Sequence, residues 1–136
     1  MTSRSSGFTL VEVLVATGLL VVIALGTAQM FALALRQNMT ARDHVMMTIA
    51  AARKLDELAA SANAGTLAVS PADALDRDYD GFFDIAGAGG AVYARRWLIS
   101  FPADYAGAAA AIVVRTSRPD SPAAAVQIAT VAEVGR

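Results

Sequence analysis

From Phe8 to Leu35 the chain carries one charge, the carboxylate of Glu12. Val, Leu and Ala dominate this stretch, and no Pro occurs before Pro71. An apolar run of about 18 residues is already long enough to cross a bilayer as a helix, and this run is longer. Arg4 precedes it, which favours a cytoplasmic N-terminus, whereas Arg36 and Arg42 follow it and weaken that bias. A lone carboxylate at membrane depth costs on the order of 2.5–3.5 kcal/mol at a helix centre. Near the helix start, water, headgroups or a cationic partner in an assembly can relieve part of this cost. Two readings of Glu12 follow. It caps the first turn, where a carboxylate complements the helix dipole, or it serves a function.

The remaining composition narrows the classes. The 136 residues allow one modest domain. Eleven Lys+Arg against 12 Asp+Glu give a net charge of -1, so nucleic acid is not expected as a partner. There is no Cys, which removes disulfides and thiolate metal sites. Hydrophobic residues make up 56% of the chain, with the excess largely at the N-terminus.

Past Arg36 the pattern turns amphipathic without a helix breaker. Met47, Ala51, Leu55, Leu58 and Ala62 recur at helical spacing, with Arg53, Lys54, Asp56 and Glu57 beside the stripe. Lys54 and Glu57 are placed to pair along the helix. Asn63 and Gly65 supply a C-cap. The expectation is one helix over about residues 9–62, roughly 80 Å long. Residues 66–90 read as a loop. AVYARRWLISF (91–101), AAAAIVVRT (108–116) and AAVQIATVAEV (124–134) read as three strands with period-two faces, joined by turns short enough for an antiparallel meander. Tyr93, Trp97, Ile99 and Phe101 share one face of the first strand. About seventy residues make a small core alone, so the sheet is expected to pack on the stem half of the helix. The fold class is α+β. Its expected divisions are a leader (1–7), a transmembrane half-helix (8–35), an amphipathic stem (36–63) and a small β-rich head (64–136).

The sequence DRDYDGFFD (76–84) resembles an EF-hand loop in its first nine positions. Asp76, Asp78, Asp80 and Asp84 fall at positions 1, 3, 5 and 9, Gly81 at the sharp turn, and the Phe82 carbonyl at position 7. The bidentate Glu of position 12 is replaced by Gly87, and flanking helices are not evident. Ca²⁺ is therefore one candidate occupant, and a solvated acidic turn is the other. His44 is the only histidine and reads as a helix-surface residue. GAGG (87–90) lacks the strand–helix context and the Lys of a phosphate loop. Arg96 and Trp97 alternate onto opposite faces, so they do not form a base-stacking platform. No Cys/His or Ser/His/Asp arrangement supports catalysis, and no cofactor is required.

The stretch GFTLVEVLVA (7–16) resembles the processing and methylation motif of type IV pilins and type II secretion pseudopilins. The resemblance implies cleavage by a prepilin peptidase after Gly7, methylation of the new N-terminal Phe8, and use of Glu12 in filament assembly. It implies a lollipop-shaped subunit held in the inner membrane with a periplasmic head. Its partners would be other pilin or pseudopilin subunits, the peptidase, the assembly platform and, before assembly, membrane lipid. The stem VMMTIAAARKLDELAA (45–60) and the RRWLISF and IVVRT strands look most like minor pilins of the PilV type or pseudopilin I. Calcium in the head would also suit some pseudopilins. Many major pilins carry a proline within the membrane helix and a C-terminal cysteine pair, and this chain has neither. Two rival readings remain. One is a secreted protein cut at GTA (26–28), which Glu12 and the length of the run oppose. The other is a single-pass periplasmic binding module, calcium-regulated or not, that never polymerises.

Overall fold

The computed structural model describes residues 9–105 and 107–135. The helix α1 spans Leu10–Asn63 and is followed by β1 (Phe83–Ala88), β2 (Ala91–Ser100), a 3-10 turn (Ala103–Tyr105), β3 (Ala109–Arg118) and β4 (Ser121–Glu133). The four strands form one antiparallel sheet in the order β1-β2-β3-β4. The chain divides into two compact units, one ending at Thr40 and the other running from Ala41 onward.

In the first unit, α1 exposes large apolar side chains around its whole circumference. Leu10, Leu20, Ile23, Phe31 and Leu35 are each more than half exposed. This helix is long and apolar enough to cross a membrane, with a mean hydropathy of 2.4 in its most apolar window. Its threonines hide their hydroxyls. Thr17 Oγ1 donates to the Val13 carbonyl (2.8 Å) and Thr27 Oγ1 to the Ala24 carbonyl (2.9 Å). Back-bonding of this kind removes free donors from a surface with no water to meet them.

In the second unit, the stem of α1 packs on one face of the sheet. Ala51, Leu58 and Ala62 form one buried cluster with Trp97, Ile99, Ile112, Val114 and Ala132, and Met47 and Ala50 are buried on the same helix. Each large apolar side chain buried here contributes about 1.5–3 kcal/mol relative to exposure. The small alanines let the helix approach the sheet closely. Along β4 the half-buried or buried residues Val126, Ile128, Thr130 and Ala132 alternate with exposed Gln127, Ala129, Val131 and Glu133, as the period-two reading requires.

The strand count differs from the expectation. Residues 66–90 are not all loop, because β1 forms there and pairs with β2 from Phe83↔Arg96 to Ala88↔Ala91. The turn between them is Gly89–Gly90, with φ of 60° and 85°. Two successive positive φ values make the two-residue hairpin that glycine alone enters without strain. The sheet also runs slightly further than expected at β3 and β4. Pro122 falls within β4, where an edge strand tolerates it. Next to it the register shifts between Ser117 and Arg118.

The helix ends in a Schellman motif. Thr66 N donates to the Ser61 carbonyl (3.0 Å), Gly65 N donates to the Ala62 carbonyl (2.9 Å), and Gly65 has φ 68°. Gly135 N donates to the same Ala62 carbonyl (3.0 Å), tying the segment after β4 to the helix end. A Cβ on Gly135 would overlap the Asn63 carbonyl oxygen, so only glycine fits.

Candidate functional site

Two places carry the candidate chemistry, and they lie in different units. The first is the start of α1. Thr9 is its N-cap: the Glu12 backbone N–H donates to the Thr9 carbonyl (3.0 Å) and to Thr9 Oγ1 (3.3 Å). Glu12 is therefore the third helical residue, in the Thr-x-x-Glu spacing of a capping box. Its side chain is exposed and makes no ion pair among the described residues. Sequence reasoning gave the capping role to Glu12 and missed Thr9, although the same four-residue signature marks both. Gly7 and Phe8 lie outside the described residues.

A carboxylate displayed on an otherwise uncharged helix surface is poised for a cationic partner from outside its own helix. The match to known sequences falls on this same segment. Residues 2–28 match the prokaryotic N-terminal methylation motif. This pilin-type motif is a mark of precursor processing and is not an enzyme signature. It ends within α1, so it covers Gly7, Phe8, Glu12 and the first part of the apolar helix. With the apolar helix, the motif fits a membrane-anchored protein. No curated protein and no solved structure gives a significant match to the chain.

The second place is the seam between stem and sheet. Lys54, expected beside the apolar stripe, is instead buried on it, with a relative exposure of 7%. Its ammonium lies 4.1 Å from the centroid of the Trp97 ring. It bonds Glu57 Oε1 at 2.9 Å and lies 3.5 Å from Asp84 Oδ2. Asp84 is gripped from the other side by Arg95, whose Nε and Nη2 each donate at 2.7 Å, while Arg95 Nη1 reaches the Ala50 carbonyl (3.3 Å). Helix, β1 and β2 thus share one chain of opposite charges. The aromatic face and two carboxylates offset the desolvation of the lysine. The spacing was visible: 47, 51, 54, 58 and 62 form a tighter stripe than one passing through Leu55. Its charge is what places Lys54 beside the stripe when the sequence is read alone. Beside it, Lys54, Glu57, Ser61, Thr66, Leu67, Phe82 and Trp97 are among the residues lining a cavity of about 350 Å³.

The acidic segment before β1 is held by arginines of the sheet. Asp76 pairs with Arg115 (2.9 Å), Asp78 with Arg96 (2.7 Å) and Asp84 with Arg95 (2.7 Å). Asp80 is exposed, and the Phe82 carbonyl accepts from Trp97 N (3.1 Å). Four of the five residues expected around Ca²⁺ are thus drawn to separate partners, and Asp80 stands exposed. Among the described residues no three acidic or histidine side chains are grouped to hold a metal ion. Arg96 is anchored by Asp78 and lies 5.4 Å from the Phe83 ring centroid. Trp97 is in the core, on the opposite face, and His44 is exposed on the helix.

A third ionic tie joins the β3–β4 turn to the stem. Arg118 bonds Asp43 Oδ2 and holds Asp120 through both oxygens, all at 2.9–3.0 Å. The Arg118 hydrogen bonds hold the Asp120 carboxyl below the usual carboxylate range, and the two aspartates raise the guanidinium above its own. Tyr79, whose hydroxyl donates to Asp73 Oδ1 (2.8 Å), is raised by that bond.

Proposed function

We propose that the chain is a minor pilin or pseudopilin, a structural subunit of a type IV pilus or type II secretion pseudopilus. A prepilin peptidase cuts after Gly7 and methylates Phe8, and α1 then packs into a filament. The observation that carries this reading is the methylation motif over residues 2–28, set on an apolar helix with Glu12 exposed in its first turn. Cleavage creates an ammonium at Phe8. In a shaft of apolar helices, that ammonium and a Glu12 carboxylate offset each other's desolvation, where either alone would be costly. The pair also fixes the axial register between subunits, as buried polar pairs do in coiled coils. The chemistry is done to this chain by the peptidase. The chain itself is not an enzyme. Its partners are other pilin-like subunits, the peptidase and the inner-membrane assembly platform, with lipid around α1 before assembly and the head in the periplasm.

The test is the N-terminal mass of protein taken from native membranes or sheared filaments. A terminal peptide that starts at Phe8 with one added methyl supports the reading. Cleavage near Ala28 would make the chain a secreted protein and remove the role of Glu12. The cavity beside Lys54 and Trp97 favours one second reading, an anchored periplasmic binding module. An intact leader in a host with active peptidase would point that way.

A further inference from the structure

The apolar half of α1 holds a second polar side chain that processing does not use. Gln29 lies between Glu12 and Arg36, which are about 36 Å apart along the helix, further than the hydrocarbon core is thick. Gln29 is exposed, and its amide finds no hydrogen-bond partner among the described residues. The neighbouring hydroxyls of Thr17 and Thr27 are satisfied by the helix backbone. An amide has two donors and an acceptor oxygen, and its side chain is too long to follow them. In hydrocarbon it must find a partner on another helix.

The face around Gln29 indicates that partner. Eleven residues earlier, three turns away, stands Gly18, and Leu25 lies one turn before Gln29. Gly26 flanks the same face. Neither glycine carries a side chain, so a neighbouring backbone can come closer there than over Leu or Val. Two turns after Gln29, the same line reaches Arg36, whose stem can carry its charge to the headgroups. Glu12 lies about 100° round the helix from Gln29.

We propose that Gln29 joins α1 to α1 of a second copy of this chain while both span the membrane. The proposal rests on the membrane-spanning reading of α1 given above. Copies anchored the same way hold Gln29 at the same depth, and an amide is self-complementary, each side chain donating to the other's oxygen. Glycine at positions 18 and 26 lets the backbones approach. The contact leaves the Glu12 face open. The pair is therefore a membrane store of subunits that can still present Glu12 to a filament.

The chain has no cysteine, so introduced thiols report alone. Leu25→Cys lies on the Gln29 face and Ile23→Cys on the far side. In native membranes, oxidation should join Leu25→Cys chains into dimers and leave Ile23→Cys chains largely single. Adding Gln29→Leu should lower the dimer fraction about threefold or more, and Gln29→Asn should retain much of it. The proposal is overturned if Gln29→Leu leaves cross-linking unchanged, if Ile23→Cys cross-links as well as Leu25→Cys, or if Leu25→Cys joins only other proteins. The N-terminal mass of the same samples reports processing at Phe8 independently, so failure of the filament reading is distinguishable from failure of this one. Gln29 is exposed, so Gln29→Leu does not disturb the fold, and fluorescence of the sole tryptophan, Trp97, checks that.

Discussion

Glu12→Gln keeps nearly the same shape and removes the charge. If the carboxylate neutralises the new Phe8 ammonium, the variant is still cleaved but enters sheared filaments at a small fraction of the normal level, measured by immunoblot. Normal entry would end the charge-pairing account. Lys54→Ala is the residue-scale test of the seam. It removes the cation over Trp97 and one of the two cations beside Asp84, and leaves a hole under the helix. A loss of about 2–4 kcal/mol is expected in urea unfolding of the detergent-solubilised chain, with Lys54→Met losing clearly less because its volume remains. Thr116 should respond in the opposite sense. Its Oγ1 is buried without a partner on a fully buried strand residue. Thr116→Val keeps the shape and discards the unmet hydroxyl, so the same measurement should show stability raised by about 1 kcal/mol.

At the scale of elements, the closure of the helix end depends on Gly135. Gly135→Ala drives a Cβ into the Asn63 carbonyl, so the bond to Ala62 should break and amide exchange around residues 62–66 should accelerate at least tenfold. The β3–β4 turn has a pH signature. Asp120 is depressed by Arg118, so its contribution is present above the unfolded carboxylate pKa of about 3.9 and is lost as pH falls through its lower folded value. Carboxyl NMR should place its midpoint below that of an ordinary aspartate, and Arg118→Gln should bring it back up. Elements were legible in the sequence where one period ruled them. The helix limits, the C-cap at Gly65 and the inward set of β4 all follow from spacing. β1 was not legible, because FDIAGA is short, half glycine and alanine, and holds a charge. Its pairing is decided by the Gly89–Gly90 turn and by Asp84 meeting Arg95, contacts that exist only in three dimensions. The acidic segment left two readings open in the sequence for a related reason. Its spacing resembles that of a calcium loop, but arginines far along the chain reach the carboxylates.

For the molecule as a whole, the motif for processing could be read directly from GFTLVEV, since enzymes that act on a leader read local sequence. The seam could not, because Lys54 becomes interior only once Trp97, Glu57 and Asp84 surround it. That seam has an optical consequence. The chain's only indole lies at 5% exposure beneath an ammonium, where the helix meets the sheet. Its emission is therefore governed by one contact, with no second fluorophore of its kind to average against. Under the proposed function, a subunit drawn from lipid into a filament would carry this reporter with it. A red shift on assembly would mean the head lifts from its stem, and an unchanged spectrum would mean stem and sheet travel as one rigid piece.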